Sequence, residues 1–385
     1  MSILANVLGV ITAVFVLYLI LFLIIGILPK KKIKFTDKLK QINIIIPLFN
    51  EEKVIHKTID SVLKQEGNLI RTIILVLDNC TDNSAKICEE YARKYSNIKI
   101  INKKDVKPSK VGAVLKALEI TNDKYFAIID ADTVLAKTAI RETYEALASN
   151  GADFFTAIVD PYKNRSFIYK VISWDRMFRQ RFIQVGKDAF DMANFPGCFG
   201  VMKTDKFKAL LENSILEDFL MTLKAMRENS KIKILPKILA YEQEKSSIRD
   251  VFFQRIRWTV GNMELSKQFL KTLKTIKPNK KIALLAYPIM WYFIYYYIAI
   301  TLVLSVITLN KTIIINFLIM TLSTAIILVY SRLKFRDLNL TDFVTIPTYL
   351  IIFPLIITVA LVPASLITIK NKHSNMMMSK KYFER

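Results

Sequence analysis

Three short groupings hold the residues best able to do chemistry in this chain: Asp130-Ala131-Asp132, Glu217-Asp218 and, beginning 36 residues after Asp218, Gln254-Arg255-Ile256-Arg257-Trp258. Two carboxylates one residue apart suit a hard divalent cation, Mg2+ or Mn2+, held against phosphate oxygens. Read alone, such a triplet is more often a turn or helix cap, and Asp132 stands suitably before Thr133 for that. Glu217 and Asp218 suit a general base with an orienting neighbour. They also suit the opening turn of a helix over Phe219–Glu228, where acids complement the dipole. Arg255 and Arg257 offer planar guanidiniums for bidentate phosphate binding, or plain lipid-facing charge. Asp78 heads the loop Asn79-Cys80-Thr81-Asp82-Asn83, either as a ligand or as an Asx-turn. Lys110 is a phosphate contact or one surface lysine among many.

Positioning these residues requires alternating strands and helices, and the pattern from Gln41 to about Leu239 supplies them. Ile42–Leu48 reads as a buried strand, Glu51–Gln65 as a helix and Thr72–Leu77 as the next strand. A helix over Ser84–Tyr95, a strand over Ile98–Ile101, a helix over Val111–Glu119 and a strand over Tyr125–Ile129 follow. Asp78 and Asp130 then fall just past the carboxyl ends of strands, where open α/β sheets bind ligands. Ser247–Thr275 interleaves apolar residues with Lys and Arg, as an amphipathic helix at a membrane surface does.

The remaining apolar residues sit at the two ends. Ile3–Leu28 carries no charge and exceeds the roughly 20 residues a helix needs to cross a bilayer; Lys30-Lys31-Lys32 follows it, which predicts a retained anchor with its carboxyl end cytoplasmic. Ile282–Leu309 and Ile313–Tyr330 form a helical hairpin around Asn310-Lys311-Thr312. Phe343–Ile369 is interrupted by Pro347, Pro354 and Pro363 and reads as interfacial or re-entrant. The net charge of +23 is assigned to anionic lipid headgroups, not to nucleic acid, for which no binding module is visible. Cys80, Cys88 and Cys198 with His56 and His373 provide no zinc spacing.

These residues together carry a resemblance. Ile46-Pro47-Leu48-Phe49-Asn50-Glu51, the Asp78 loop, Lys110-Val111-Gly112-Ala113, Asp130-Ala131-Asp132, Glu217-Asp218 and Gln254-Arg255-Ile256-Arg257-Trp258 resemble the successive motifs of family 2 glycosyltransferases with a GT-A fold. The pattern is similar to that of membrane-bound cellulose, hyaluronan and poly-N-acetylglucosamine synthases. It departs at Leu77, where an aspartate is common, at Asn79-Cys80 in place of Gly-Ser, and at Phe219, where hyaluronan and chitin synthases carry Arg.

The resemblance implies an α/β GT-A domain, a mixed and mostly parallel sheet with flanking helices, inserted between transmembrane and interfacial helices. It implies that Pro47, Asn50, Glu51, Asp78, Lys110, Asp130, Gln254, Arg255 and Arg257 bind a UDP-sugar, that Asp130 and Asp132 bind Mg2+ or Mn2+, and that Asp218 is the base beside Glu217. Trp258, Gly197 and Cys198 would meet a polysaccharide acceptor. The expected layout is a membrane helix over 1–30, a cytoplasmic catalytic domain over 40–245 and an interfacial helix over 246–278. A hairpin over 282–331, the broken segment over 341–369 and a basic cytoplasmic tail over 370–385 complete it. The expected activity is inverting, processive synthesis of a β-linked polysaccharide at the plasma membrane, a β-glucan first and poly-N-acetylglucosamine next. Single-sugar transfer to a lipid is the alternative. With so few helices to form an exit, either the broken Phe343–Ile369 segment or a second protomer is expected to complete it.

Overall fold

The computed structural model describes residues 2–27, 39–104, 109–121, 123–162, 166–195 and 197–374. The chain forms two compact units. One takes the described residues within Lys30–Tyr162 and Asp191–Gln243; the other takes those within Met1–Pro29, Lys163–Phe190 and Glu244–Arg385.

The first unit is built on an eight-stranded sheet: β1 (Ile42–Leu48), β2 (Ile70–Asp78), β3 (Ile98–Lys103), β4 (Tyr125–Ile129), β5 (Thr133–Leu135), β6 (Phe154–Pro161), β7 (Phe199–Lys203) and β8 (Ile232–Glu242), in the order β3-β2-β1-β4-β7-β6-β8-β5. β1 runs parallel to β2 and β4, β2 to β3, and β6 to β8, while β7 is antiparallel to both β4 and β6. Every residue of β1 is buried, as a strand covered on both faces requires. Ile55, Ile59 and Val62 of the helix Ile55–Leu63 join Ile44, Ile46, Leu75 and Ala127 in one core. The strands and helices expected up to Ile129 are present. β5, β6, β7 and β8 extend the sheet beyond that expectation.

Asn50 has a left-handed backbone at φ 55°, and its Oδ1 accepts from the Thr81 amide at 2.8 Å. Glu51 donates its amide to Ser84 Oγ at 2.8 Å, and Asn83 donates its amide to Glu52 Oε2 at 3.0 Å. These bonds zip the loop after β1 to the loop after β2, fixing the mouth of the sheet around Asp78.

The second unit is helical. Ser2–Ile27, Lys311–Phe335 and Asp342–Ile369 are each long and apolar enough to cross a membrane. Thr12 Oγ1 lies 2.5 Å from Tyr297 Oη, which donates to the Leu8 carbonyl at 2.7 Å, and Asn316 Nδ2 donates to the Ala5 carbonyl at 3.4 Å. Polar groups thus bind three apolar helices side by side, as they do where lipid offers no partner. The hairpin expected over 282–331 is present in outline: Pro278–Pro288, a π-helical segment Ile289–Phe293 and Ile294–Thr308 lead through Leu309 to Lys311–Phe335.

Two features differ from expectation. The stretch with three prolines is a single helix, Asp342–Ser374, not a set of short pieces. Residues 166–190 also belong to the helical unit, so the expected domain 40–245 is interrupted. Trp174 Nε1 donates to Thr345 Oγ1 at 3.0 Å, Arg181 pairs with Asp337 at 2.7 Å, and an ideal Cβ on Gly186 would meet Phe22 Cδ1 at 2.4 Å. The basic cluster Lys30-Lys31-Lys32 lies outside the described residues, as does the tail from residue 375 onward.

Candidate active site

In the α/β unit, Asp130 directly follows β4 and opens the turn that carries Asp132 into β5. The turn is tied on three sides: the Asp130 amide donates to the Cys198 carbonyl at 2.9 Å, the Thr133 amide to the Asp130 carbonyl at 3.0 Å, and Thr58 Oγ1 to the Ala131 carbonyl at 2.7 Å. Both aspartates are half-buried. Lys110 opens the helix Lys110–Glu119, which Ser109 caps by accepting from the Gly112 amide. Its Nζ lies 2.5 Å from Asp130 Oδ1 and donates to the Gly197 carbonyl.

Glu217 and Asp218 occupy the first turn of the helix Glu217–Arg227. An ideal Cβ on Gly197 would lie 3.3 Å from Asp218 Oδ2, so a glycine lets this loop lie against the carboxylate. Phe195 donates its amide to Thr222 Oγ1 at 2.7 Å, which locks the same loop to the helix. Asp130, Glu217, Gly197 and Cys198 are therefore gathered around Lys110, with Asp218 against Gly197.

Electrostatics follow from this crowding. Burial raises the Asp130 carboxyl above its ordinary range; Lys110 opposes the shift, while Glu242 and Asp218 add to it. Burial likewise raises Glu217, against Lys110 and with Asp218. Burial opposes the Lys110 charge, yet Asp130 and Glu217 outweigh it and the ammonium is held more firmly than usual. One lysine thus faces more negative charge than it neutralises, and a divalent cation would relieve the excess. Among the described residues no three His, Cys, Asp or Glu side chains gather as a complete metal cage. Two carboxylates are the donor set that suits Mg2+ or Mn2+ when phosphates and water complete the shell.

Asp78 ends β2, is 3% exposed, and has both oxygens engaged: Lys103 Nζ donates to Oδ1 at 2.8 Å and the Ser109 amide to Oδ2 at 2.5 Å. It anchors the cap that carries Lys110. Sequence reasoning missed Lys103, whose only local signal is a lysine closing a β3 strand parallel to β2. Pro47 lies buried within β1, and Asn50 and Glu51 form the zipped loops described above.

In the helical unit, Gln254, Arg255, Arg257 and Trp258 lie on Ile248–Glu264, capped by Ser247; the amphipathic stretch expected over Ser247–Thr275 breaks at Leu265 and resumes at Ser266–Thr275. Arg255 is 2% exposed and turns inward, its Nη2 donating to Asp175 Oδ2 at 2.7 Å. Any contact with a nucleotide sugar, as expected of it from the sequence, would be made from this buried and paired position. Arg257 and Trp258 are half-buried. Gln254 Oε1 and Arg255 Nε are buried without a hydrogen-bond partner, a costly state that a ligand group or water would relieve. Asp175, Arg179 and Tyr295, which surround Arg255, were also missed; their signal is the Asp175-Arg179 spacing of one helical turn.

Comparison with known proteins adds an independent line. Residues 43–211 match the family described as Glycosyl transferase family 2. The chain is 25% identical over 271 residues to the probable glycosyltransferase YdaM of Bacillus subtilis, covering 68% of this chain and 64% of that one. It is 25% identical over 262 residues to a poly-beta-1,6-N-acetyl-D-glucosamine synthase of Staphylococcus epidermidis, covering 63% of this chain and 59% of that one. The chain thus spans less than two-thirds of the length of these relatives. Among solved structures, the mannosyltransferase PcManGT from Pyrobaculum calidifontis, in complex with GDP-Man and Mn2+, superposes with a TM-score of 0.63 at 14% identity over 96% of this chain and 98% of that chain. That likeness concerns the fold.

Proposed function

Given that this chain carries a glycosyl transferase family 2 domain on a GT-A-like fold and has helices fit to cross a membrane, we propose that it is an inverting, metal-dependent transferase. On this reading it extends a β-linked polysaccharide from a UDP-sugar at the cytoplasmic membrane face. The observation that carries the reading is the pairing of Lys110 with Asp130, just past the carboxyl end of β4, and with the loop of Gly197 that lies against Asp218 at the start of the helix Glu217–Arg227.

In this reading Asp218 takes the proton of the acceptor hydroxyl while that oxygen attacks the anomeric carbon from the face opposite the leaving diphosphate. The contact with Gly197 and the bond from the Phe219 amide to Asp218 Oδ1, at 2.7 Å, fix the direction of its carboxylate. Glu217 holds part of the local charge. Asp130 and Asp132 would hold Mg2+ or Mn2+, which supplies positive charge to the departing diphosphate. Lys110 keeps the carboxylates oriented and adds a fixed cation. Arg257 is assigned to the diphosphate, where a guanidinium binds two oxygens at once. Trp258 is assigned to the terminal acceptor sugar, on which an indole face stacks.

The Staphylococcus epidermidis relative favours N-acetylglucosamine over glucose as the transferred unit. Transfer of one sugar to a lipid is the second reading, favoured by the small number of candidate spans, three among the described residues. Purified protein in lipid nanodiscs, supplied separately with UDP-N-acetylglucosamine, UDP-glucose and GDP-mannose, tests both. Nucleoside diphosphate release from a UDP-sugar with a long glycosidase-sensitive product supports polymer synthesis. Release with a glycolipid bearing a single added sugar gives the second reading, and turnover of GDP-mannose alone overturns the donor assignment.

A further inference from the structure

Of the groups that surround Trp258, Arg255 belongs to its own motif, while Asp175 and Arg179 lie outside it. Asp175, on the helix Phe167–Met177, is 1% exposed. Its Oδ2 accepts from Arg255 Nη2 at 2.7 Å and from Arg179 Nε at 2.9 Å, and its Oδ1 accepts from the Tyr295 hydroxyl at 3.3 Å. Both guanidiniums that meet this carboxylate also lie over the Trp258 ring, Arg255 at 4.2 Å from the centroid and Arg179 at 5.2 Å. Arg255 is further held over the ring of Phe353 at 4.9 Å. One helical turn later, Asn262 Nδ2 donates to the Trp258 carbonyl at 2.7 Å and to the Tyr292 hydroxyl at 2.8 Å.

Two like charges brought to one indole repel each other, most strongly where water is scarce. Each is attracted to the ring by cation–π interaction, which is too weak to hold both cations buried without a counter-ion. Asp175 resolves the conflict because one oxygen accepts from both. Burial opposes its ionisation, but Arg255 and Arg179 outweigh that and hold the carboxyl below its usual range. One carboxylate therefore sets the places of two cations, and the cations set the plane of the indole.

We infer that Asp175 is the positioning residue for Trp258, orienting the indole through Arg255 and Arg179 and thereby governing how tightly the enzyme grips the terminal sugar of its acceptor. The second half of this inference rests on the assignment of Trp258 to the acceptor; the first half does not. Tyr295 trims the same arrangement from the far side of the carboxylate.

Two readouts separate these halves. Full-length protein labelled with 5-fluorotryptophan reports the position of Trp258 directly, its fluorine resonance being assigned by loss in Trp258→Phe. Asp175→Asn should shift or broaden that resonance, and Tyr295→Phe, which leaves both ion pairs intact, should move it less in the same direction. An unmoved resonance in folded Asp175→Asn, or in Tyr295→Phe should the first variant fail to fold, overturns the inference. The second readout is kinetic, with UDP-N-acetylglucosamine and a β-linked N-acetylglucosamine disaccharide. Asp175→Asn should raise the acceptor KM about tenfold with little change in donor affinity, Asp175→Glu should recover part of it, and the effect should vanish in a Trp258→Ala background. Additive effects in the double variant contradict the coupling. Should Trp258→Ala leave acceptor KM unchanged, the acceptor assignment fails while the fluorine spectrum still decides on Asp175.

Discussion

Lys110 Nζ lies 2.5 Å from Asp130 Oδ1 and also donates to the carbonyl of Gly197, the residue packed against the Asp218 carboxylate. A single ammonium therefore links the acidic turn proposed to hold the cation with the loop that aims the proposed base. The contact is local to the α/β unit and is built from three separated stretches of sequence.

Lys110→Met keeps the length of the side chain and removes its charge. Asp130 and Glu217, already raised by burial and by neighbouring acids, then lose the group that opposes the shift. Turnover should fall by about 100-fold, the usual scale for losing one preorganised electrostatic group at a transferring site. Rates measured at saturating donor would show it; a variant within a few-fold of wild type removes Lys110 from the mechanism.

Chelation should abolish nucleoside diphosphate release, and Mn2+ or Mg2+ added back should restore it, because one lysine leaves the acidic cluster short of positive charge. Asp132→Ala should lose activity by about 100-fold or more and need higher metal concentrations for what remains. Undiminished release in excess chelator excludes a required divalent cation.

Packing in the helical unit offers a test of stability. Alanine at position 186 gains up to about 1 kcal/mol in helix propensity over glycine, but its Cβ would fall 2.4 Å from Cδ1 and 2.9 Å from Cε1 of Phe22. Phe22 is fully buried, so the ring has no free space to enter. Overpacking of this kind costs about 1–3 kcal/mol, and Gly186→Ala should lower the unfolding temperature in detergent. An unchanged or raised temperature would show that the helix of residues 2–27 yields freely.

The Asp175 ion pairs give a pH dependence with a definite sign. The folded-state carboxyl is held below its ordinary value of 3.8, so the unfolded chain takes up the proton first as pH falls. Asp175 then contributes stability that is complete above the unfolded value and is lost as pH drops through the folded one. Removing one partner of a buried pair costs about 3–5 kcal/mol, so Asp175→Asn should melt well below wild type near neutrality, with the gap narrowing below about pH 3.8. A gap of constant size from neutral to acid pH would show that Asp175 is not ionised in the folded protein.

The first half of the sheet was legible because parallel strands buried on both faces leave unbroken apolar runs such as Ile42–Leu48, bounded by polar helices. Asp78 and Asp130 could be placed because they end such runs. The second half was not. β7 is a five-residue strand beginning Phe199-Gly200, too short to show a period, and residues 167–184 are amphipathic without a clear polar side because they lie buried among other helices. Partners distant in sequence leave no local mark: nothing near Lys103 announces Asp78, and nothing near Arg255 announces Asp175. The prolines at 347, 354 and 363 suggested breaks, but the segment runs as one helix through all three, because neighbouring helices and Ser or Thr side chains can satisfy the backbone groups a proline frees.

The central claim is that Asp218 is the base of a sugar transfer carried out on the α/β unit. Asp218→Asn preserves shape and the helix start while removing the proton acceptor. Single-turnover transfer from a radiolabelled UDP-sugar, measured beside UDP-sugar binding in the same preparation, tests it directly. The account predicts binding within about twofold of wild type and transfer slowed by at least about 100-fold. Transfer at near-normal rate with binding intact would contradict it.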